Sequence, residues 1–289
     1  MANIDGVVYG RITPARGRVV KENLPVLPEY ANVVVKPRAR DYLVGGVAYA
    51  RVTTALGIIN KPALVPWAAR TALAKVREVL VNPDVYRELA RALEETPESY
   101  EEFVDLLIDR AAKAPNEARD ARGEAGTEVH SLISEVVALD DIDRSAFLMG
   151  SDAPPAVWEA LRFLSDYGIK VIDTERVVWL PDLKVAGTID GIGMRNGHVV
   201  IWDWKTSASV YWETALQLGA YAKLLTRLTG VGVAAAFAVR LPRPGDGAGY
   251  EAKELSADSL RLAWEAYLSA LRLKEYSREE WWEDKEGNT

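Results

Sequence analysis

Residues 185–206 read VAGTIDGIGMRNGHVVIWDWKT, and this stretch decides the fold because it predicts a β-hairpin with an Asn196-Gly197 turn. Both central residues of a type I′ turn need positive φ angles, so Asn-Gly between two β-rich runs is a strong hairpin signal. With a two-residue loop, Asp190 falls directly opposite Asp203. A longer loop would shift the register and separate these aspartates.

The predicted hairpin carries charged side chains among apolar ones. Strand alternation puts Asp203 and Lys205 on one face, while Trp202 and Trp204 lie on the other. Like charges directly opposite each other are destabilising, and burial makes charge costly unless it is paired or bound to a metal. Carboxylates suit Mg²⁺ or Mn²⁺, so Asp190, Asp203 and Lys205 form a candidate catalytic site. The alternative is a surface ion-pair cluster in which Lys205 only neutralises the aspartates.

An α/β pattern surrounds the hairpin. The β-rich runs 171–180, 185–194 and 199–206 predict a three-stranded meander. Helices are predicted at about 155–167, 212–228 and 257–276, and a fourth strand at 231–241. The region from 65 to 140 reads as about four helices separated at Asn82-Pro83, Thr96-Pro97 and Ala114-Pro115. We divide the chain into an N-terminal β-hairpin region (1–60), a helical region (61–150), the core (151–276) and an acidic tail (277–289).

Composition narrows the classes of function. The chain has 289 residues, 49% hydrophobic and 27% charged, which is typical of a globular protein. It has no apolar run of membrane-spanning length and no secretory signal, so we expect a cytoplasmic protein, in the host cytoplasm if it is viral. The absence of cysteine excludes disulfides, thiolate zinc sites and cysteine-held iron–sulfur clusters. One glutamine and three methionines suggest a thermophilic source, although a compositional bias can mimic this.

The net charge of −7 argues against a protein that coats nucleic acid non-specifically. A local basic groove is still compatible with this charge. Basic candidates for DNA contact occur in the helical region: Arg70, Lys75, Arg77, Arg110, Lys113, Arg119 and Arg122. A solvated surface is the simpler interpretation for most of them. Trp67 is a candidate for base stacking, and the alternative is that it packs in the core at helical spacing with Leu64 and Ala68.

Four short motifs occur in order along the chain. They are a helical His130, Gly187 to Asp190 as G-x-x-D, Asp203 to Lys205 as D-x-K, and Gln217 to Tyr221 as Q-x-x-x-Y. This order resembles the PD-(D/E)XK nuclease superfamily, specifically its RecB-like exonuclease branch, and residues 52–67 also look like phage and viral members. The chain lacks the iron–sulfur cysteines of some relatives and has no Walker A lysine motif.

The resemblance implies a fold and a metal site. The fold is a restriction-endonuclease-like core, a central mixed sheet flanked by helices, with an N-terminal β-hairpin and helical region. His130, Asp190 and Asp203, with the backbone carbonyl of Trp204, would bind Mg²⁺ or Mn²⁺. Lys205 would position or help deprotonate the attacking water and stabilise phosphoryl charge.

Three further residues are candidates for supporting or DNA-binding roles. Gln217 and Tyr221 are four residues apart and share a helix face, and Glu175 opens the first strand of the meander. The alternative is that Tyr221 is core packing, Gln217 is half-exposed and Glu175 is an ordinary strand-end charge. A lone helical histidine such as His130 is also often a structural residue.

The function implied by the resemblance is a metal-dependent DNA nuclease, an exonuclease acting on single- or double-stranded ends in recombination, repair or viral genome processing. A homo-oligomer or a recombination protein is the candidate partner, and no membrane is involved. The alternatives are a structure-selective endonuclease with the same site, and a catalytically silent DNA-binding or scaffold subunit. RNA is also open as a substrate.

Overall fold

The computed structural model describes residues 41–277 apart from residues 60, 62, 96, 140–146, 148–152, 244 and 248. The β-hairpins predicted before residue 41 and the tail predicted after residue 277 lie outside the described residues. The chain divides into a helical unit, residues 60–128, and an α/β unit formed by the described residues on either side of it. Among the described residues, each helix is too short or too polar to cross a lipid bilayer.

A seven-stranded mixed sheet forms the centre of the α/β unit. Its order is β1-β2-β4-β5-β6-β7, and β3 runs along β4. The pairs β2–β4 and β5–β6 are parallel and the other pairs are antiparallel. The strands are β1 (Asp41–Val44), β2 (Val47–Arg51), β3 (Lys170–Leu180), β4 (Val185–Arg195), β5 (His198–Lys205), β6 (Val233–Arg240) and β7 (Glu251–Ser256).

The β4–β5 hairpin has the predicted turn and register. Asn196 and Gly197 have φ angles of 52° and 80°, as a type I′ turn requires. The ladder runs back from this turn to Gly191, which lies opposite Trp202. The pairing of β4 with β5 ends at this point, so Asp190 and Asp203, the next residues along, are not part of the ladder. The beginning of β4 pairs with β2 instead. The two strands of the hairpin therefore fork at the aspartates.

Helices cover both faces of the sheet. Helices α6 (Glu213–Thr229) and α7 (Ala257–Tyr276) share one apolar cluster with Ile189 and Ile201. Helix α5 (Pro155–Asp166) and the end of α4 (Pro97–Ala138) share the other cluster with Trp202 and Trp204. A short helix, α1 (Val52–Ala55), and a 3₁₀ turn (Leu56–Ile58) follow β2. The predicted α/β core with a central mixed sheet between helices is confirmed.

The helical unit consists of α2 (Leu64–Leu80), α3 (Pro83–Glu95) and the first part of α4. Prolines begin α3 and α4, but the predicted break at Ala114-Pro115 is wrong because α4 continues through Pro115. An internal proline removes one helical hydrogen bond at a cost of about 3 kcal/mol. Ala111 and Ala114, on the turn before Pro115, are buried, so packing at this turn helps to offset that cost.

Candidate active site

A closed hydrogen-bonded network joins Asp203 and Lys205 of β5 to Gln217 of α6. The Gln217 Nε2 donates to Asp203 Oδ1 at 2.7 Å, and Lys205 Nζ donates to Gln217 Oε1 at 3.2 Å. The third side is an ion pair with 2.5 Å between Lys205 Nζ and Asp203 Oδ2. Because both ends of the Gln217 carboxamide are engaged, the network fixes the positions of the aspartate and the lysine.

Tyr221 extends this network by one helical turn. Its hydroxyl accepts a hydrogen bond from Gln217 Nε2 at 3.1 Å. The ring packs so closely on Gly187 of β4 that a side chain at that position would overlap it. Burial raises the pKa of Tyr221 well above its ordinary value, so the hydroxyl is neutral. The Q-x-x-x-Y helix face thus contacts both strands of the fork.

Asp190 of β4 bridges to β5 across the point where the two strands separate. Its Oδ2 accepts the backbone N–H of Trp204 at 2.7 Å, where the regular ladder has already ended. The backbone carbonyl of the next residue, Lys205, accepts the backbone N–H of Leu241, which follows β6. The Lys205 carbonyl therefore points toward β6, away from Asp190. Successive residues of a strand direct their backbone groups to opposite edges, so the carbonyl of Trp204 faces the same side as Asp190.

Helix α4 and strand β3 bring two further titratable groups to Asp190. The Nδ1 of His130 lies 3.5 Å from Asp190 Oδ2. Glu175 lies in the middle of β3, so the prediction that it opens this strand is wrong. It has a φ of 51°, and its two chain neighbours pair with the two chain neighbours of Asp190, which places Glu175 opposite Asp190. Ser134, one turn after His130, donates to Glu175 Oε1 at 3.1 Å.

Burial and mutual repulsion determine the charge of the cluster. Burial, and then the charge of Asp203, raise the pKa of Asp190, and burial also raises the pKa of Glu175. Burial lowers the pKa of His130, which is therefore neutral at pH 7. Burial also acts to lower the pKa of Lys205, but the charges of Asp203 and Asp190 outweigh it, so that pKa is raised and the group is an ammonium. Three ionised carboxylates against one ammonium would leave an excess of negative charge.

The donor set fits a divalent cation. Carboxylate and carbonyl oxygens with a neutral imidazole are ligands that Mg²⁺ and Mn²⁺ accept, and the cation would offset the excess negative charge. Asp203 Oδ2 is buried without a hydrogen bond, although Lys205 lies beside it. Within the described ranges, no three histidine or acidic side chains are close enough together to hold a metal ion as they stand.

The structure brings all of the predicted site residues into one cluster: His130, Glu175, Asp190, Asp203, Trp204, Lys205, Gln217 and Tyr221. Two contacts were not predicted. Ser134 bonds to Glu175, and its spacing of four residues from His130 could have indicated this. The Tyr42 and Thr188 hydroxyls lie 3.0 Å apart, and no local pattern in the sequence connects these two residues.

The basic residues proposed for DNA contact belong to the helical unit, where acidic neighbours pair with several of them. Lys75 bonds to Glu78 at 2.8 Å, and the Lys113–Asp109 and Arg119–Asp120 pairs are similar. The Arg122 guanidinium lies 5.2 Å from the centre of the Trp67 ring. These contacts are those of a solvated helix surface, which was the simpler of the two interpretations.

The chain matches a protein family and is similar to 17 chains of solved structures, two of which are described below. Residues 71–287 match the PD-(D/E)XK nuclease superfamily. The chain is similar to an alkaline exonuclease (LHK-Exo) from Laribacter hongkongensis, with 13% identity and a TM-score of 0.25 over 42% of this chain and 67% of that one. It is also similar to SSO0001, with 16% identity and a TM-score of 0.23 over 39% of this chain and 56% of that one. No curated protein sequence matches the chain.

Proposed function

The chain belongs to the PD-(D/E)XK nuclease superfamily, and from this premise we propose that it hydrolyses phosphodiester bonds in DNA as a metal-dependent exonuclease. The observation that carries the proposal is the buried network of Asp203, Lys205 and Gln217 beside Asp190. Asp203 is only 2% exposed and Asp190 9%, so a surface ion-pair cluster does not describe them. Buried charges that cost stability are concentrated at functional sites.

The metal site we propose consists of Asp190, Asp203, His130 and the backbone carbonyl of Trp204, with Glu175 in support. The ion would be Mg²⁺ or Mn²⁺, because the donors are mainly oxygen. A divalent cation here supplies positive charge that makes a nearby water more acidic and offsets the charge of the phosphate. The neutral state of His130 leaves an imidazole nitrogen with a lone pair for this purpose.

Lys205 has a different role in the proposal. Because the pKa of Lys205 is raised by the neighbouring aspartates despite its burial, it is protonated and has no lone pair to accept a proton. We therefore assign it the orientation of the attacking water and the stabilisation of negative charge on the phosphoryl group. Gln217 holds Lys205 and Asp203 in place, and Tyr221 holds Gln217.

The exonuclease assignment rests on the RecB-like order of the motifs from His130 to Tyr221. The setting that we propose is recombination, repair or viral genome processing in the cytoplasm. A second copy of the chain or a recombination protein would help to hold the enzyme on DNA ends.

The test is digestion of end-labelled linear single- and double-stranded DNA, closed circular DNA and RNA, each with Mg²⁺, Mn²⁺ or EDTA. We expect metal-dependent shortening of linear DNA from its ends, and none with Asp203→Asn. The exposed Asp182 (73%) provides the control Asp182→Asn, which should remain active. Cutting of the closed circle would identify an endonuclease, and DNA binding without cleavage would identify a silent subunit.

A further inference from the structure

Two exposed aromatic residues stand at the start of α6. The side chain of Tyr211 is 46% exposed and that of Trp212 is 63% exposed. Among the described residues, this is the one place where two exposed aromatic residues are consecutive in the chain. We call Tyr211 and Trp212 the aromatic pair.

The aromatic pair lies on the segment that joins Lys205 of the hydrogen-bonded network to α6. Residues 206–212 connect Lys205 to α6, and Gln217, which bonds to Lys205, is one turn beyond the first residue of that helix. A turn of helix rises by about 5.4 Å. Trp212 is therefore about 7.5 Å from Gln217 along the helix axis, on the order of one or two nucleotide spacings.

Hydrogen bonds hold the connecting segment, residues 206–212, in a fixed path. Two basic side chains of the neighbouring strands and two amides of α6 bind its carbonyl oxygens. These bonds are Arg240 Nε to Ala208 (3.0 Å), Lys253 Nζ to Val210 (3.3 Å), Thr214 N to Tyr211 (3.1 Å) and Ala215 N to Trp212 (3.0 Å). The backbone that carries the aromatic pair is thus ordered before any ligand arrives.

We propose that Tyr211 and Trp212 form a stacking platform for unpaired nucleobases of DNA next to the scissile phosphate, an inference that rests on the proposed function. Every base has a flat π-face that an aromatic side chain can cover, whatever the sequence. A solvated indole on an ordered backbone costs no backbone ordering on binding, and it releases water from an apolar face.

Unpaired bases fit this platform better than a duplex. Within a duplex both faces of each base are covered by neighbouring base pairs, and only unpaired or terminal bases offer a free face. Two cations lie directly against the connecting segment, since Arg240 and Lys253 donate to its carbonyl oxygens, and they are compatible with a phosphate backbone beside the acidic Glu213, Asp246 and Glu251. The platform would therefore make the protein prefer single-stranded ends over blunt ends.

The test uses an oligothymidylate that carries one 2-aminopurine, whose fluorescence falls when an aromatic ring stacks on it. Binding is followed in EDTA, so that no cleavage occurs. We expect a fall in fluorescence with the unmodified protein, and with Trp212→Ala an affinity about tenfold weaker and a clearly smaller fall in fluorescence, because Tyr211 remains. Trp212→Phe should restore part of both effects.

The matched control is Trp158→Ala, because Trp158 is also exposed (47%) but lies on α5. It should bind and quench as the unmodified protein does. Equal affinity and equal quenching by Trp212→Ala would overturn the inference. So would an equal loss of affinity for blunt duplex DNA, or a change in oligomeric mass with unchanged DNA binding, which would assign the aromatic pair to a protein interface.

Cleavage of labelled DNA by the unmodified protein with Mg²⁺ or Mn²⁺ is measured separately. Cleavage without 2-aminopurine quenching would overturn the stacking platform alone. Quenching that depends on Trp212 without cleavage on any substrate would overturn the proposed function alone and support the platform.

Discussion

Both faces of strand β5 are covered by helices, but charge occurs only on the face toward α6, where Asp203 and Lys205 follow the apolar Ile201. Toward α5, Trp202 and Trp204 are at most 1% exposed, and the Trp204 ring meets Phe163 edge to face at 5.6 Å. Toward α6, Asp203 is 2% exposed and bonds to Gln217 and Lys205. Burial stabilises the first face and destabilises the second. We conclude that the apolar face holds the strand in place while the charged face carries the chemistry.

The comparison predicts that substitution on the apolar face acts on stability. Trp202→Ala should lower the free energy of unfolding by about 3–5 kcal/mol, because it removes a fully buried indole and leaves a cavity. Denaturant unfolding followed by circular dichroism measures this. Trp158→Ala, at an exposed position, should change the same quantity by less than about 0.5 kcal/mol. Similar losses for both variants would contradict a stabilising role of the apolar face.

Substitution of Gln217, which holds Asp203 and Lys205 in position, should lower the rate of DNA cleavage. Gln217→Met keeps the length of the side chain but removes its bonds to Asp203, Lys205 and Tyr221. We expect the cleavage rate to fall by about 100-fold, which corresponds to about 2.7 kcal/mol of transition-state stabilisation. Single-turnover cleavage of labelled DNA measures it. A fall in DNA affinity with an unchanged single-turnover rate would mean that Gln217 serves binding and not positioning.

The smallest expected effect is on the free energy of unfolding, which the buried charge of Asp190 lowers when no metal is bound. Burial and the charge of Asp203 raise the pKa of Asp190 above its ordinary 3.8, so folding favours the protonated form. Stability from this group is present at low pH and is lost as the pH rises through the raised pKa. In EDTA at pH 8, Asp190→Asn should therefore raise the free energy of unfolding by about 1–2 kcal/mol.

The free energy of unfolding of the Asp190→Asn variant should also change less between about pH 4 and pH 8 than that of the unmodified protein. Urea unfolding at a series of pH values tests this, with Asp182→Asn as the exposed control. A destabilised Asp190→Asn protein would show that the Asp190 charge has a stabilising partner and that the charged face is not under electrostatic strain.

Local sequence predicted the frame of the site well. Asn196-Gly197 determines the turn and with it the register as far as Gly191 and Trp202, because turn geometry acts over short distances. The end of α6 at Thr229 is close to the predicted end at 228 and follows from the same kind of local rule, because the next residue is Gly230 with a φ of 72°. These features depend on residues that are neighbours in the chain.

Features that depend on distant partners were not predicted. The fork of β4 and β5 requires β2 to take the beginning of β4. Strand β7, Glu251–Ser256, has little apolar alternation, and its pairing with β6 is what makes it a strand. The bond between Tyr42 and Thr188 joins residues 146 positions apart. Tertiary contacts of this kind leave no periodic signal in a single sequence.

The central claim is that the charged face of β5 is the reactive face of a nuclease. The most direct test is the single-turnover cleavage rate of Lys205→Ala on labelled DNA with Mg²⁺ or Mn²⁺, measured together with DNA affinity in EDTA and thermal unfolding. We predict a rate at least about 100-fold lower, with affinity and folding retained. An unchanged rate in a folded Lys205→Ala protein would contradict the claim, because Lys205 would then be only the neutralising partner of Asp203.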